Sequence, residues 1–113
     1  LEIIDRRKLE KLKRKNRGNT KLIKAIDDLI EVINNATWQN PLELKEQRGD
    51  ADCVHSDGFY FFNIAIHRTL VLVLFEDQEA TIVWAGDHQK YEETFKNSKD
   101  TIEKWLRDND WIN

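Results

Sequence analysis

At 113 residues, 40% of them hydrophobic and 35% charged, the chain has room for one domain with a single modest core. No apolar run approaches the length of a membrane span, and no segment reads as a secretory signal. One cysteine, Cys53, excludes an internal disulfide and fits a reducing cytosol. That cysteine and the scattered His55, His67 and His88 match no zinc-ligand spacing. With no methionine anywhere, Leu1 reads as a position within a longer natural sequence.

The formal net charge of −3 is unevenly spread. Between Arg6 and Lys24 there are ten basic residues and one acidic, a net +9, while the remainder carries −12. Such a segment can face RNA or an acidic partner, or form a solvated helix face.

Leu1-Glu2-Ile3-Ile4 is short and apolar and predicts a strand. Asp5 is placed to cap a basic helix to about Lys15, with Leu9 and Leu12 facing inward. Arg17-Gly18-Asn19 breaks it. Asn19 or Thr20 then caps a second helix to about Asn35, whose apolar residues Leu22, Ile26, Leu29, Ile30 and Ile33 keep the 3.6-residue period. The two form a helical hairpin. Asn40-Pro41 opens a region read as loop as far as Asp50. Ala51–His55 is a weak strand, Ser56-Asp57-Gly58 a hairpin turn, and Phe59–Ile64 and Thr69–Phe75 are strong strands. Near-continuous apolar content in Leu70–Leu74 predicts a strand covered on both faces. Ala80–Ala85 is the last strand. Asp87 is placed to cap a helix to about Phe95, and Ser98 a final one with the apolar stripe Ile102, Trp105, Leu106. The prediction is one α+β domain over residues 1–113. A short N-terminal strand and two-helix hairpin pack on a mainly antiparallel sheet of three to four further strands, with a C-terminal helical extension at 98–112.

Three motifs carry a family resemblance. They are Trp38-x-Asn40-Pro41-x-x-Leu44-Lys45, then Phe61-Phe62-Asn63-Ile64, then Ile82-Val83-Trp84-Ala85-Gly86-x-His88-x-x-Tyr91. In this order they resemble the HigB family of type II toxins within the RelE-like superfamily, over the chain to about Phe95. The resemblance implies a cytoplasmic mRNA endonuclease working on messages in the ribosomal A site, without metal or other cofactor. It implies a helix-turn-helix antitoxin of the HigA type, which meets operator DNA and so links the toxin to it only indirectly. No membrane is involved. The expected chemistry is attack of a ribose 2′-OH on the adjacent phosphate with departure of the 5′-oxygen. That needs a base, an acid and cations for the phosphorane.

His88 is the leading catalytic candidate, because an imidazole exchanges protons near neutrality and a helix N-terminus attracts phosphate. The bland alternative is a histidine packed at a strand end. Tyr91, three residues on, shares its helix face and could orient substrate, stack on a base or donate to phosphate. It could equally be an amphipathic tyrosine lying on the sheet. The family places an arginine on the central strand. Counted without gaps that position falls near Leu70, and the local arginine is Arg68. His67 and Arg68 together could serve the phosphate. Lys45, Arg48 and Lys90 are candidate RNA contacts, and Lys11, Arg14 and Lys15 candidate contacts to ribosome or antitoxin. His55 could reach the same cleft. Trp38 and Trp84 read as core, and Cys53 as a small buried hydrophobe. Two rivals stay open: a non-catalytic binding module of the same fold, and a general RNA-binding domain built on the basic hairpin.

Overall fold

A computed structural model describes residues 1–113. The chain runs β1 (Glu2–Ile4), α1 (Arg7–Lys15), α2 (Thr20–Asn35), α3 (Pro41–Gln47), β2 (Asp52–His55), β3 (Phe59–Ile64), β4 (His67–Leu74), β5 (Glu79–Gly86), α4 (His88–Phe95) and α5 (Lys99–Asp108). The five strands form one sheet in the order β1-β5-β4-β3-β2. β1 joins β5 in parallel, and every other pair is antiparallel.

Alternation along the central strands sets the layers, since successive side chains point to opposite faces. Tyr60, Phe62, Ile64, Val71 and Val73 pack against α1 and α2 through Leu9, Leu22, Ile26 and Ile33. Phe59, Phe61 and Leu70 pack the other way, against Tyr91 and Phe95 of α4 and Ile102 and Leu106 of α5. This double covering is why Phe59–Phe62 of β3 and Leu70–Leu74 of β4 are apolar on both faces. The architecture is α+β, with the helical hairpin on one face and the C-terminal helices on the other.

Leu70 pairs with Trp84 but Val71 with Ile82, so Val83 is an extra residue in β5. This β-bulge lets Val83 and Trp84 both contribute to the second core, and it bends the end of β5 that leads to α4.

Capping follows side-chain chemistry. Asn19 accepts from Leu22 N at 3.1 Å and Asp87 from Lys90 N at 2.7 Å. Four expectations are corrected. Asp5 stands one residue before the cap position of α1, which Arg6 occupies: it adopts φ 58°, its carboxylate accepts from Arg7 N at 3.3 Å as a cap would, and it also grips the Arg7 guanidinium at 2.8 and 2.9 Å. That Arg7 hydrogen bond holds the Asp5 carboxyl down at about 2. The stretch read as loop contains α3, because Asn40 accepts from Glu43 N at 3.0 Å, Pro41 takes the first helical turn and Leu44 is buried. β4 begins at His67, two residues before Thr69. Cys53 is exposed, since β2 is the edge of the sheet. No helix is long and apolar enough to cross a membrane.

Candidate active site

The β3–β4 connection is only Ala65 and Ile66, and this short turn fixes the register Asn63 opposite Arg68 and Ile64 opposite His67. On its other side Arg68 pairs with Gly86. Three adjacent strand ends therefore bring Asn63, Arg68 and Gly86 into one row. After Gly86 the chain turns directly into α4. A Cβ on Gly86 would stand 2.8 Å from the Trp84 ring, so the close turn needs glycine. Asp87 caps α4, and His88 is its first residue.

A cleft of about 640 Å³ opens between this row and α4. Arg68, Tyr91 and His88 line it. The Arg68 guanidinium lies 4.7 Å from the Tyr91 ring centre and 5.3 Å from that of Phe61. Its Nε donates to Asn63 Oδ1 at 3.2 Å. It makes no ion pair with a carboxylate, although Glu92 lines the same cleft, and both terminal nitrogens lack a protein partner. The two rings stand at 86° to each other, so the guanidinium sits in the corner between them, and a cation supported there with its terminal nitrogens free can meet a bidentate oxyanion.

The His88 ring stacks near-parallel on Tyr91, at 25° and 6.1 Å between centres. Its Nε2 lies 3.5 Å from Glu92 Oε1, one helical turn on. The imidazole is exposed, so it can exchange a proton with a bound molecule while the Glu92 carboxylate offsets the positive charge that develops on the ring. Tyr91 is different. It is 3% exposed, it meets Phe61 edge-on at 5.1 Å, and its hydroxyl donates to Asn97 Oδ1 at 3.0 Å. Its ring is thus a shelf within the site rather than a free surface for a base.

The remaining candidates divide. His67 also lines the cleft and is buried, with Nδ1 lacking any hydrogen-bond partner. Strand alternation sends its side chain to the face opposite Arg68. Lys90 is exposed and stands 3.6 Å from Glu93, outside the cleft lining. Lys45 donates to Ala51 O beside a separate groove. Arg48 forks onto Asp50 at 2.7 and 2.8 Å, donates to Asn63 O at 3.0 Å and lies over Phe62. The structure does not bring Lys45 or Arg48 into the cleft. His55 instead accepts from Asp57 N at 3.0 Å. Lys11, Arg14 and Lys15 are exposed on α1. Lys8, Lys11 and Lys15 surround a small depression floored by Ala85, three residues before His88. Trp38 is buried and Trp84 packs in the second core.

Behind the row, Asp50 braces Asn63. Its Oδ2 accepts from Asn63 N at 2.8 Å. Burial pushes the Asp50 carboxyl up, but the Arg48 hydrogen bond and the Asn63 amide outweigh it, and the group sits below the ordinary carboxylate value. Sequence reasoning missed Asn63, Asn97, Glu92 and the 77% exposed Ile66 as cleft residues. Glu92 had a usable signal, four residues after His88 on one helix. Asn97 had a weaker one, an asparagine just past a helix end.

The family model described as HigB_toxin, RelE-like toxic component of a toxin-antitoxin system, matches residues 23–94. The match begins in α2 and ends in α4, and so contains β2 to β5 and the whole row from Asn63 to His88. No match was found among curated proteins. With well over half of the chain matched, and the cleft inside the matched part, this chain belongs to the HigB family of RelE-like toxins and is the toxic component of a toxin-antitoxin system.

Proposed function

We propose that the protein is a ribosome-dependent mRNA endonuclease, neutralised by a HigA-type antitoxin. The observation that carries this reading is an unneutralised guanidinium and an exposed imidazole held against one tyrosine ring in an open cleft. A phosphodiester presented there meets the Arg68 terminal nitrogens at its non-bridging oxygens. Attack by the 2′-OH on phosphorus adds negative charge to those oxygens, and the fixed cation stabilises it without reorganising. The 5′-oxygen leaves as the P–O bond breaks and takes up a proton. A 2′,3′-cyclic phosphate and a 5′-hydroxyl result.

His88 either removes the 2′-OH proton or supplies the leaving-group proton. Glu92 stabilises the imidazolium in both roles. Tyr91 orients the two groups rather than touching a base. Lys90, exposed on α4 beside the cleft, is a further RNA contact, while the buried His67 lies in the wall with its side chain on the strand face opposite Arg68. Lys45 and Arg48 approach from the α3 side. The basic face of α1, with Lys11, Arg14 and Lys15, docks on ribosomal RNA or on an acidic antitoxin surface.

The test is cleavage on programmed ribosomes, comparing wild type with His88→Ala and Arg68→Ala, with naked mRNA as control. Cleavage by wild type alone, and only on ribosomes, is expected. A folded wild type that leaves ribosome-bound messages intact would instead identify a non-catalytic module of this fold. Salt-sensitive binding of naked RNA, lost on charge reversal at Lys11, Arg14 and Lys15, would favour a general RNA-binding domain.

A further inference from the structure

We infer that Asn97 is a positioning residue of the cleft: by accepting from the Tyr91 hydroxyl it fixes the ring on which the Arg68 guanidinium and the His88 imidazole rest. The inference builds on the endonuclease reading above, and its first test does not depend on activity.

Tyr91 is the common neighbour of the site. Arg68 lies 4.7 Å over its ring, His88 stacks at 6.1 Å and Phe61 meets it edge-on at 5.1 Å. Any tilt of this ring moves the cation and the imidazole together. Phe61 and Phe95 constrain the base of the ring from within the core. The tip is held by one hydrogen bond, from the hydroxyl to Asn97 Oδ1 at 3.0 Å. The ring is therefore pinned at both ends, once by packing and once by Asn97.

The backbone at Asn97 argues that its side chain has a purpose. α4 ends in two consecutive left-handed residues, Lys96 at φ 52° and Asn97 at φ 48°. Glycine adopts this conformation without steric cost, and asparagine tolerates it less well. A turn alone would be served better by glycine. The carboxamide adds the acceptor for Tyr91, which glycine cannot supply. The rest of the exposed Asn97 side chain makes no other hydrogen bond within the protein.

The experiment compares Asn97→Gly, Tyr91→Phe, the double variant and Asn97→Asp. Asn97→Gly suits the left-handed backbone, so the variant should fold. In NMR spectra of the isolated protein, the Arg68 Nε–H proton should be displaced by the Tyr91 ring current. Asn97→Gly and Tyr91→Phe should each move it toward the position of an exposed arginine, and the double variant no further than either. Asn97→Asp keeps an acceptor and should leave the resonance in place. On programmed ribosomes, Asn97→Gly should lower the single-turnover cleavage rate by roughly 10- to 100-fold, as expected for a small misplacement of reacting groups. The half-saturating ribosome concentration should not change. An Arg68 resonance unmoved in Asn97→Gly, or additive effects of the two single substitutions, would overturn the inference. Absence of cleavage by wild type would remove the endonuclease reading and leave the spectroscopic comparison to decide the role of Asn97.

Discussion

Replacing Arg68 with lysine separates charge from geometry at the centre of the cleft. Lysine keeps the positive charge but loses the planar fork, the Nε hydrogen bond to Asn63 at 3.2 Å and the guanidinium's contacts with the Tyr91 and Phe61 rings. Each cation–π contact contributes about 0.5–1 kcal/mol at such a half-buried position. A hydrogen bond from a charged donor adds about 1.5 kcal/mol. An ammonium can recover part of this, so folding stability should fall by only about 1 kcal/mol. The rate should fall much further. A bidentate contact to the phosphorane becomes a single mobile one, and loss of a preorganised donor costs about 2.7–4 kcal/mol, or roughly 100- to 1,000-fold. The assay is single-turnover cleavage on programmed ribosomes, with a urea melt on the same preparation. A lysine variant cutting within about threefold of wild type, a barrier change under about 0.7 kcal/mol, would show that fork geometry does not matter. Arg68 would then be only a strand-end charge.

Phe61→Ala removes a fully buried ring that packs edge-on against Tyr91 and Phe95 at 5.1 and 5.2 Å. It should destabilise by about 3–5 kcal/mol in urea unfolding, and a loss below about 1 kcal/mol would contradict the packing described. Asp50→Asn should lower stability at pH 7 by about 1 kcal/mol, because the Arg48 fork loses its charged partner at a partly screened site. The Asp50 carboxyl is held below its unfolded value, so its contribution is present above that value and fades as pH falls through the folded one. The gap between wild type and Asp50→Asn in thermal melts should therefore narrow in acid. A gap constant from pH 7 downward would remove Asp50 as the titrating brace. Glutamate at positions 11, 14 and 15 together should weaken ribosome binding by roughly tenfold or more and flatten its salt dependence. Unchanged binding would place the docking face elsewhere.

Much of this fold could be read locally, because the decisive chemistry was local. Asn19 and Asp87 are short polar caps just ahead of periodic apolar residues, and both cap as the sequence suggests. The capping of Asp87 was enough to put His88 at a helix start. Where local signals competed, reading was harder. Asn40-Pro41 reads as the opening of a loop, yet a capping asparagine followed by a first-turn proline also starts a helix, and the burial of Leu44 settles it as α3. Cys53 looked like a buried hydrophobe because edge position is a property of the sheet, not of Ala51–His55. The same limit applies to Lys45 and Arg48. Lys45 and Arg48 are held by the nearby Ala51 O and Asp50, in a turn that a loop reading does not contain, and the further bond from Arg48 to Asn63 O depends on how the end of α3 lies beside β3. The contact of Arg68 with Tyr91 requires the whole of β5 and the turn into α4, so no window of sequence contains it.

The position of the arginine explains why Tyr91 is buried. Counting without gaps from the Phe-Asn pair places the family's strand arginine at Leu70, but Leu70 is fully buried in the second core with Phe61 and Phe95. A cation there would lie under α4 with no partner, which costs several kcal/mol. The two-residue turn at Ala65 and Ile66 starts β4 early and brings position 68 to the sheet end instead. From there an arginine can run its aliphatic stem along the sheet and place its head at the cleft. A head without a carboxylate partner needs another support, and the faces of Phe61 and Tyr91 provide it. The Tyr91 ring is itself packed in the second core, and its hydroxyl donates to Asn97 Oδ1. Burial of Tyr91, the early start of β4 and an unpaired guanidinium are therefore one arrangement: a cation carried to the open end of the sheet and supported there by two aromatic rings.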